Sequence, residues 1–325
     1  PVDIRGNVHA DLDTRLDAQA VDLRNEKVRA LFEIRNGVFA GARNWFMENG
    51  YFEVNTPKII KAGAEGGATL FKLDYFGSQA YLSQSPQLYK EILTSSFERV
   101  YEIGPFFRAE PFDTSRHISE FIGIDIEAAF LDEQEAMDEM ENVFWGILEY
   151  VKKGCKEALD VLERKLDFPK PPYKRITYDE ALKKIEPELK LEWGADIGSE
   201  AEKILGEKMK DPFFIHHYPT ESKPFYIMPD SDNPKVCKSF DFDVGGLEVA
   251  SGGMRIHKRK ELEKSLTGHG LNPADFSEHL KFFDWGMPPH SGWGSGGDRL
   301  AMVIAGVENV RECILFPRDL RRLSP

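Results

Sequence analysis

The chain has 325 residues, its 42 Lys+Arg against 55 Asp+Glu give a formal net charge of −13, and 41% of it is hydrophobic. At about 150 residues per domain that length holds one large domain or two ordinary ones, and it excludes disorder, collagen and a small disulfide scaffold. Apolar runs fall far short of the ~20 residues that cross a bilayer, no charged-then-apolar leader opens the sequence, and Cys155, Cys237 and Cys313 show no CxxC or Cys/His spacing. The expectation is a cytoplasmic protein with no membrane partner. Its acidic balance argues against an all-over nucleic-acid surface but leaves room for a local basic patch.

Over 25–49, Val28, Leu31, Phe32, Ile34, Val38, Phe39, Trp45 and Phe46 recur at helical spacing, and Gly50 stands where a helix stops. Tyr51 to Pro57 alternates like a strand ended by proline. Short β-prone runs at 80–82, 100–103 and 121–130 predict antiparallel strands. A second long helix carries Met137, Met140, Val143, Phe144, Ile147, Leu148 and Val151 on one stripe. The Pro- and Lys-rich stretch 168–230 reads as an insertion on the edge of the main sheet, with helical pieces at 178–184 and 199–209. Strands are predicted at 225–228, 239–244 and 247–250, then helices at 258–266 and 298–307. Strands gathered in the middle with helices around them predict an α+β fold with an antiparallel sheet.

Three constellations carry chemistry. Gly292-Trp-Gly-Ser-Gly-Gly297 fits the spacing GxGxxG, but the 28 residues after it cannot hold the rest of a dinucleotide-binding unit. What remains is a glycine strand that lets a flat ligand approach bare backbone, running into Asp298-Arg299. Arg108 and Glu110, followed by Arg116, His117 and Phe121, would share one surface if two strands joined there. That gives cations for a polyphosphate, an acceptor for a base amino group and an aromatic wall. Glu248 and Ser251, three residues apart at a strand end, can supply oxygens to a Mg²⁺ that keeps several waters.

In this order and spacing the three sets resemble motifs 1, 2 and 3 of the class II aminoacyl-tRNA synthetases, motif 1 being the helix and strand that end at Pro57. Further segments are similar to the aspartyl branch of archaeal and eukaryotic type: Gln84-Ser-Pro-Gln-Leu-Tyr-Lys90, Lys223-Pro-Phe-Tyr-Ile-Met228, Ser251-Gly-Gly-Met-Arg-Ile-His257, Gly286-Met-Pro-Pro-His290 and the ending 315–325. The resemblance implies the class II catalytic fold and two reactions: aspartate attacks the α-phosphate of ATP, and the adenylate passes to the acceptor end of tRNA. It implies that Arg108 grips the α-phosphate and the attacking carboxylate, making Arg108 and Arg299 the catalytic pair. Glu110 would read adenine, Phe121 and Arg299 would sandwich its ring, and Arg116 and His117 would hold the outer phosphates. Glu248 and Ser251 would carry Mg²⁺.

For the amino acid, Lys90 and Arg255 with His257 nearby would face the side-chain carboxylate, and Asp125, Glu65, Ser85 and Gln87 would receive the ammonium. Glu65-Gly66-Gly67 would ride on a lid loop. Lys90 favours aspartate over asparagine. Residues 1–24 are expected to be a hinge from an N-terminal anticodon-binding domain, and 25–325 the catalytic domain; motif 1 implies a homodimer. An asparagine-making paralogue and a catalytically silent relative are the competing readings. Met254, where a polar residue is common, and Asp298, where Glu is more usual, depart from the pattern.

Overall fold

The computed structural model describes residues 2, 5, 10–61, 70–111 and 114–324. Two short helices, α1 (Leu12–Asp17) and α2 (Gln19–Asp22), lead into α3 (Glu26–Glu48). The Asn25 side chain caps α3 by accepting from the backbone of Lys27 and Val28, and Gly50 ends it at φ +75°, a left-handed turn that favours glycine. Strand β1 (Phe52–Glu53) follows, then β2 (Ile59–Ile60), β3 (Lys72–Tyr75), β4 (Ser78–Leu82) and α4 (Gln87–Phe97). The long antiparallel pair β5 (Arg99–Phe107) and β6 (Glu120–Ala129) precedes α5 (Glu133–Gly154), α6 (Lys156–Val161), β7 (Lys174–Thr177), α7 (Tyr178–Ile185), α8 (Ser199–Met209) and β8 (Phe213–His216). The chain closes with β9 (Ser239–Asp243), β10 (Glu248–Met254), α9 (Arg259–Gly268), α10 (Ser277–Phe283), β11 (His290–Gly296) and α11 (Gly297–Ala305).

The main sheet has eight strands in the order β1-β5-β6-β11-β10-β9-β8-β7, antiparallel except for the parallel outer pairs β1/β5 and β7/β8. β2, β4 and β3 form a second, small sheet. On one face of the main sheet, α3, α5 and α11 bury the predicted stripes: Ile34, Val38, Phe46, Met137, Met140, Val143, Phe144 and Ile147 are all at 0% exposure. At about 1.5–3 kcal/mol for each large side chain removed from water, this face dominates the favourable side of folding. α3 and α5 cross closely, since a Cβ on Gly41 would lie 3.0 Å from Tyr150 and one on Gly146 would lie 2.6 Å from the Trp45 ring.

The α+β prediction holds, as do the long helices and the strands at the centre. Two predicted strands differ. The segment 51–57 keeps just two strand residues, because beyond a single bond from Val54 N to Tyr101 O it turns away from the sheet. The segment 225–228 is a turn with isolated bridges, Ile227 to Arg255 and Pro229 to Cys237. Its apolar residues face a separate core with Ile256, Leu262, Leu266 and Leu280, which explains their strand-like composition without a ladder. The stretch 168–230 supplies β7 and β8 to the sheet edge and packs its helices α7 and α8 on a core of their own.

Candidate active site

The other face of the sheet carries a cavity of about 320 Å³, lined from β5, β6, β10, β11, the start of α11 and the turn at 223–227. Arg108, Glu110, Arg116, His117, Phe121, Glu248, Ser251, Arg299, Ser85, Gln87, Asp125 and Arg255 all line it, so the fold gathers residues spread over more than two hundred positions. Lys90 and His257 do not line it. Glu65 and the expected lid lie outside the described residues.

Each strand pairing has a visible purpose. β5 and β6 run in register from Arg99/Ala128 to Phe107/Glu120, which brings Arg108 and Phe121 together across the ladder end. The Arg108 guanidinium lies 5.4 Å from the Phe121 ring centroid and 3.9 Å from Glu110. Glu110 in turn lies 3.8 Å from His117 Nε2, and His117 Nδ1 meets Thr114 Oγ1 at 2.6 Å. Burial and the neighbouring arginines, opposed by Glu110, hold His117 below the ordinary histidine range, so it is neutral at pH 7 rather than a standing cation. Arg116 is committed to the edge region: its Nη1 donates to Glu202 of α8 at 2.6 Å and its Nη2 to Gly246 O at 3.2 Å. Arg299 donates to Glu248 O at 3.3 Å and to Arg116 O at 3.4 Å.

Glu248 and Ser251 would face opposite ways in a regular strand. A bulge between Glu248 and Ala250 adds one residue on β10 and puts both on the cavity face. Glu248 is pushed up to about 8 by burial and by the negative charge of Asp241, against the pull of Lys223 and Arg299. Asp241 stands opposite Ser251 on β9 and receives Lys223 Nζ on both oxygens, at 2.9 and 2.7 Å. Asp243, two residues on, is pushed up to about 7 mainly by burial. Among the described residues no three His, Cys, Asp or Glu side chains are grouped to hold a metal by themselves.

The deep end is built differently. Lys90, 2% exposed, donates to Asp125 at 3.0 Å and to Trp293 O at 3.1 Å and lies 3.5 Å from Glu127. Arg255 is bidentate on Glu127 at 2.9 and 3.3 Å. The glycine strand explains how two carboxylates fit there. A Cβ on Gly292 would sit 2.4 Å from Glu127 Oε2, and one on Gly294 would sit 2.8 Å from Asp125 Oδ1. The glycines of β11 thus clear space for acids on the neighbouring β6, beyond the bare backbone expected for a flat ligand. Asp298, 2% exposed, receives Arg35 of α3 at 2.9 and 2.8 Å and Ile122 N at 2.8 Å, which locks the base of α11 to the core.

His257 is the clearest departure from the expected constellation: the chain leaves β10 at Met254, and His257 does not line the cavity that Arg255 lines. Lys90 donates to Asp125, which does line the cavity. Sequence reasoning gave no role to Glu127, Asp241, Glu202, Lys223 or Tyr226. The alternation Phe240-Asp-Phe-Asp243, with both phenylalanines in the core, was the available signal for Asp241.

This architecture defines the class: the chain belongs to the class II tRNA synthetase family (D, K and N), whose model matches residues 11–320. Its relatives include an aspartate-tRNA(Asp) ligase of Pyrococcus abyssi, 47% identical over 100% of this chain and 76% of that protein. An aspartate-tRNA(Asp/Asn) ligase of Methanothermobacter thermautotrophicus is 45% identical over 100% of this chain and 75% of its own. Among solved structures, asparaginyl-tRNA synthetase from Pyrococcus horikoshii complexed with asparaginyl-adenylate superposes with a TM-score of 0.94 at 33% identity, over 97% of this chain and 74% of that one.

Proposed function

We propose that this chain is an aspartate-tRNA ligase of class II: it joins aspartate to ATP as aspartyl-adenylate, releasing pyrophosphate, and passes the aspartyl group to the 3′ end of tRNA. The observation that carries this reading is the deep end of the cavity. Arg255 and Asp125 line it, backed by Glu127 and Lys90, so it offers a guanidinium to a side-chain carboxylate and a carboxylate to an ammonium. Such a pocket answers a small zwitterion bearing an extra carboxylate, the substrate that the names of the two aspartyl relatives imply.

The chemistry assigned to the residues follows from their positions. Arg108, whose planar guanidinium lines the cavity and is partly exposed, bridges the attacking carboxylate and the α-phosphate, and so supplies positioning and charge neutralisation. Phe121 and Arg299 enclose the adenine, and Glu110 accepts from its amino group. Arg116 and His117 take the outer phosphates. Ser85, Gln87 and Asp125 receive the α-ammonium. The donor set fits Mg²⁺: Glu248 and Ser251 offer two oxygens and leave the other positions to phosphate and water. A cation there would offset the burial and the Asp241 charge that push Glu248 up to about 8. The ion would neutralise phosphate charge.

Residues 1–24 are assigned as a hinge and 25–325 as the catalytic domain, with 168–230 inserted at its edge. A homodimer is supported by an apolar face beside α3, where exposed Met47 accompanies the stacked rings of Phe52 and Phe97, 4.5 Å apart. Sedimentation tests it, a dimer being expected. For the activity, aspartate-dependent exchange of pyrophosphate into ATP with this chain and Mg²⁺ is the test; no exchange would overturn the reading. Relatives named for one tRNA and for two stand at nearly equal identity, so charging of both tRNAs should be measured.

A further inference from the structure

Behind the deep end of the cavity lies a layer of buried polar atoms that none of the steps above uses. Glu91 of α4 is at 0% exposure. Its Oε1 accepts from Gln87 Nε2 at 2.6 Å, while its Oε2 has no hydrogen-bond partner. Two imidazoles converge on that oxygen: His290 Nε2, at the start of β11, at 3.6 Å, and His279 Nε2, from α10, at 3.9 Å. Both nitrogens are also buried without a hydrogen-bond partner. Three elements far apart in sequence thus aim three polar atoms at one point. A carboxylate so far from water stays ionised only beside a cation or several donors.

We propose that His290 holds a proton against Glu91, and that this buried pair, with His279 behind it, is a positioning device that fixes which end of the Gln87 amide faces aspartate. An ionised carboxylate can only accept, so Gln87 must turn its NH₂ inward to Glu91. Its carbonyl oxygen is then left toward the cavity that Gln87 lines, where it suits an α-ammonium. If Glu91 were neutral, its own O–H would compete for that carbonyl, and the amide could turn its NH₂ on the substrate instead.

The surroundings agree. His290 Nδ1 is occupied by Pro288 O at 2.8 Å, so Nε2 is the nitrogen that gains or loses the proton. Burial works against charge on His290, yet Glu91, with Glu127 of β6, outweighs it and raises His290 above the ordinary histidine range. Burial keeps His279 low and therefore neutral. Arg255, just past the end of β10, adds positive charge toward Glu91 and donates its backbone N–H to His290 O at 3.0 Å. Lys90 sits against Glu127, and His257 feels the charge of His290.

The inference rests on the cavity taking aspartate. Its test measures KM for aspartate and for ATP in pyrophosphate exchange from pH 6 to 9, in the unaltered protein and in Glu91→Gln. The unaltered protein should keep its aspartate KM level across this range, because loss of the His290 proton leaves Glu91 an anion that still accepts from Gln87. Glu91→Gln should raise the aspartate KM about tenfold at pH 7 and leave the ATP KM as it was. An unchanged aspartate KM in Glu91→Gln, or an equal loss for ATP, would overturn the proposal. Nitrogen NMR of histidine-labelled unaltered protein reads the pair without any variant: His290 should be an imidazolium at pH 7, and a neutral ring would refute it. Absence of exchange in the unaltered protein would instead strike the aspartate assignment, and the NMR result would still decide the pair.

Discussion

The two ends of the cavity are made by different rules. At the deep end every charge is already matched: Arg255 with Glu127 and Lys90 with Asp125, both pairs almost sealed from solvent. At the outer end Arg108 is 40% exposed in its side chain and no nearer than 3.9 Å to Glu110, and Arg299 touches backbone oxygens at 3.3 and 3.4 Å. A site that must tell a carboxylate from an amide gains from charges that cannot move, since a mismatched ligand then leaves buried groups unpaired. A site that must take a flexible triphosphate gains from arginines that can re-aim. The contrast is between preformed specificity and adaptable charge.

Breaking the deep end should therefore cost the fold itself. Arg255→Met leaves Glu127, at 0% exposure, without its bidentate partner and with Lys90 no closer than 3.5 Å. Urea unfolding should show a loss of about 3–5 kcal/mol, the usual result of stranding one member of a buried pair. A loss below about 1 kcal/mol would mean that the deep end is as adaptable as the outer one.

Arg108→Ala makes the opposite case. Pyrophosphate exchange should fall about 10²–10³-fold, the scale of removing one well-aimed charge donor. Unfolding free energy should change by less than about 1 kcal/mol, because the side chain is 40% exposed. Equal damage to activity and stability would erase the distinction between the two ends. Between them stands Lys90→Ala, expected to weaken aspartate binding roughly 10–100-fold through the loss of the charge that anchors Asp125, with little change for ATP. Calorimetric titration of each ligand separates the two, and equal losses would remove Lys90 from the amino-acid site.

The same division decides what could be read from sequence. α3, α5 and the β6 strand were legible because hydrophobic periodicity is local, and so were the outer-end residues Arg108 to Phe121, which one hairpin brings together. The deep end was not, apart from residues supplied by family likeness. Glu127 sits in Ile126-Glu-Ala-Ala129 and pairs with Arg255, 128 positions away, while the space for it is made by Gly292 on a third strand. No local pattern announces a pairing of that kind. The bulge that joins Glu248 to Ser251 was equally hidden, although the two residues themselves were singled out. His257 failed for the converse reason: alternation continued on paper where the strand had already ended.

At the boundary between the ends, Glu248 allows a test by pH. With its folded value raised to about 8, it holds a proton at pH 7 that the unfolded chain would release. Its contribution to stability is therefore full below the ordinary carboxylate range and is lost as pH rises through about 8. Mg²⁺ must displace that proton, so its affinity should rise up to about tenfold per pH unit between 6 and 8. Calorimetry in buffers of different ionisation enthalpy should detect the released proton. Binding that is independent of pH would take Glu248 out of the metal's ligands.

The smallest effect should come from loosening the outer end further. Glu202 of α8 holds Arg116 at 2.6 Å, with the two side chains 15% and 27% exposed. Burial raises Glu202 despite Arg116, so the pair is a modest one. Half-exposed pairs are worth about 0.2–1 kcal/mol once solvent screening is allowed for. If a triphosphate must draw Arg116 away from Glu202, then Glu202→Gln removes that competition, and ATP should bind about two- to fivefold more tightly. Aspartate affinity should stay where it was, since the deep end is held by its own pairs, Lys90 with Asp125 and Arg255 with Glu127. Weaker ATP binding in this variant would show that Glu202 aims Arg116 rather than withholding it. The outer end would then be preformed after all, differing from the deep end in exposure alone.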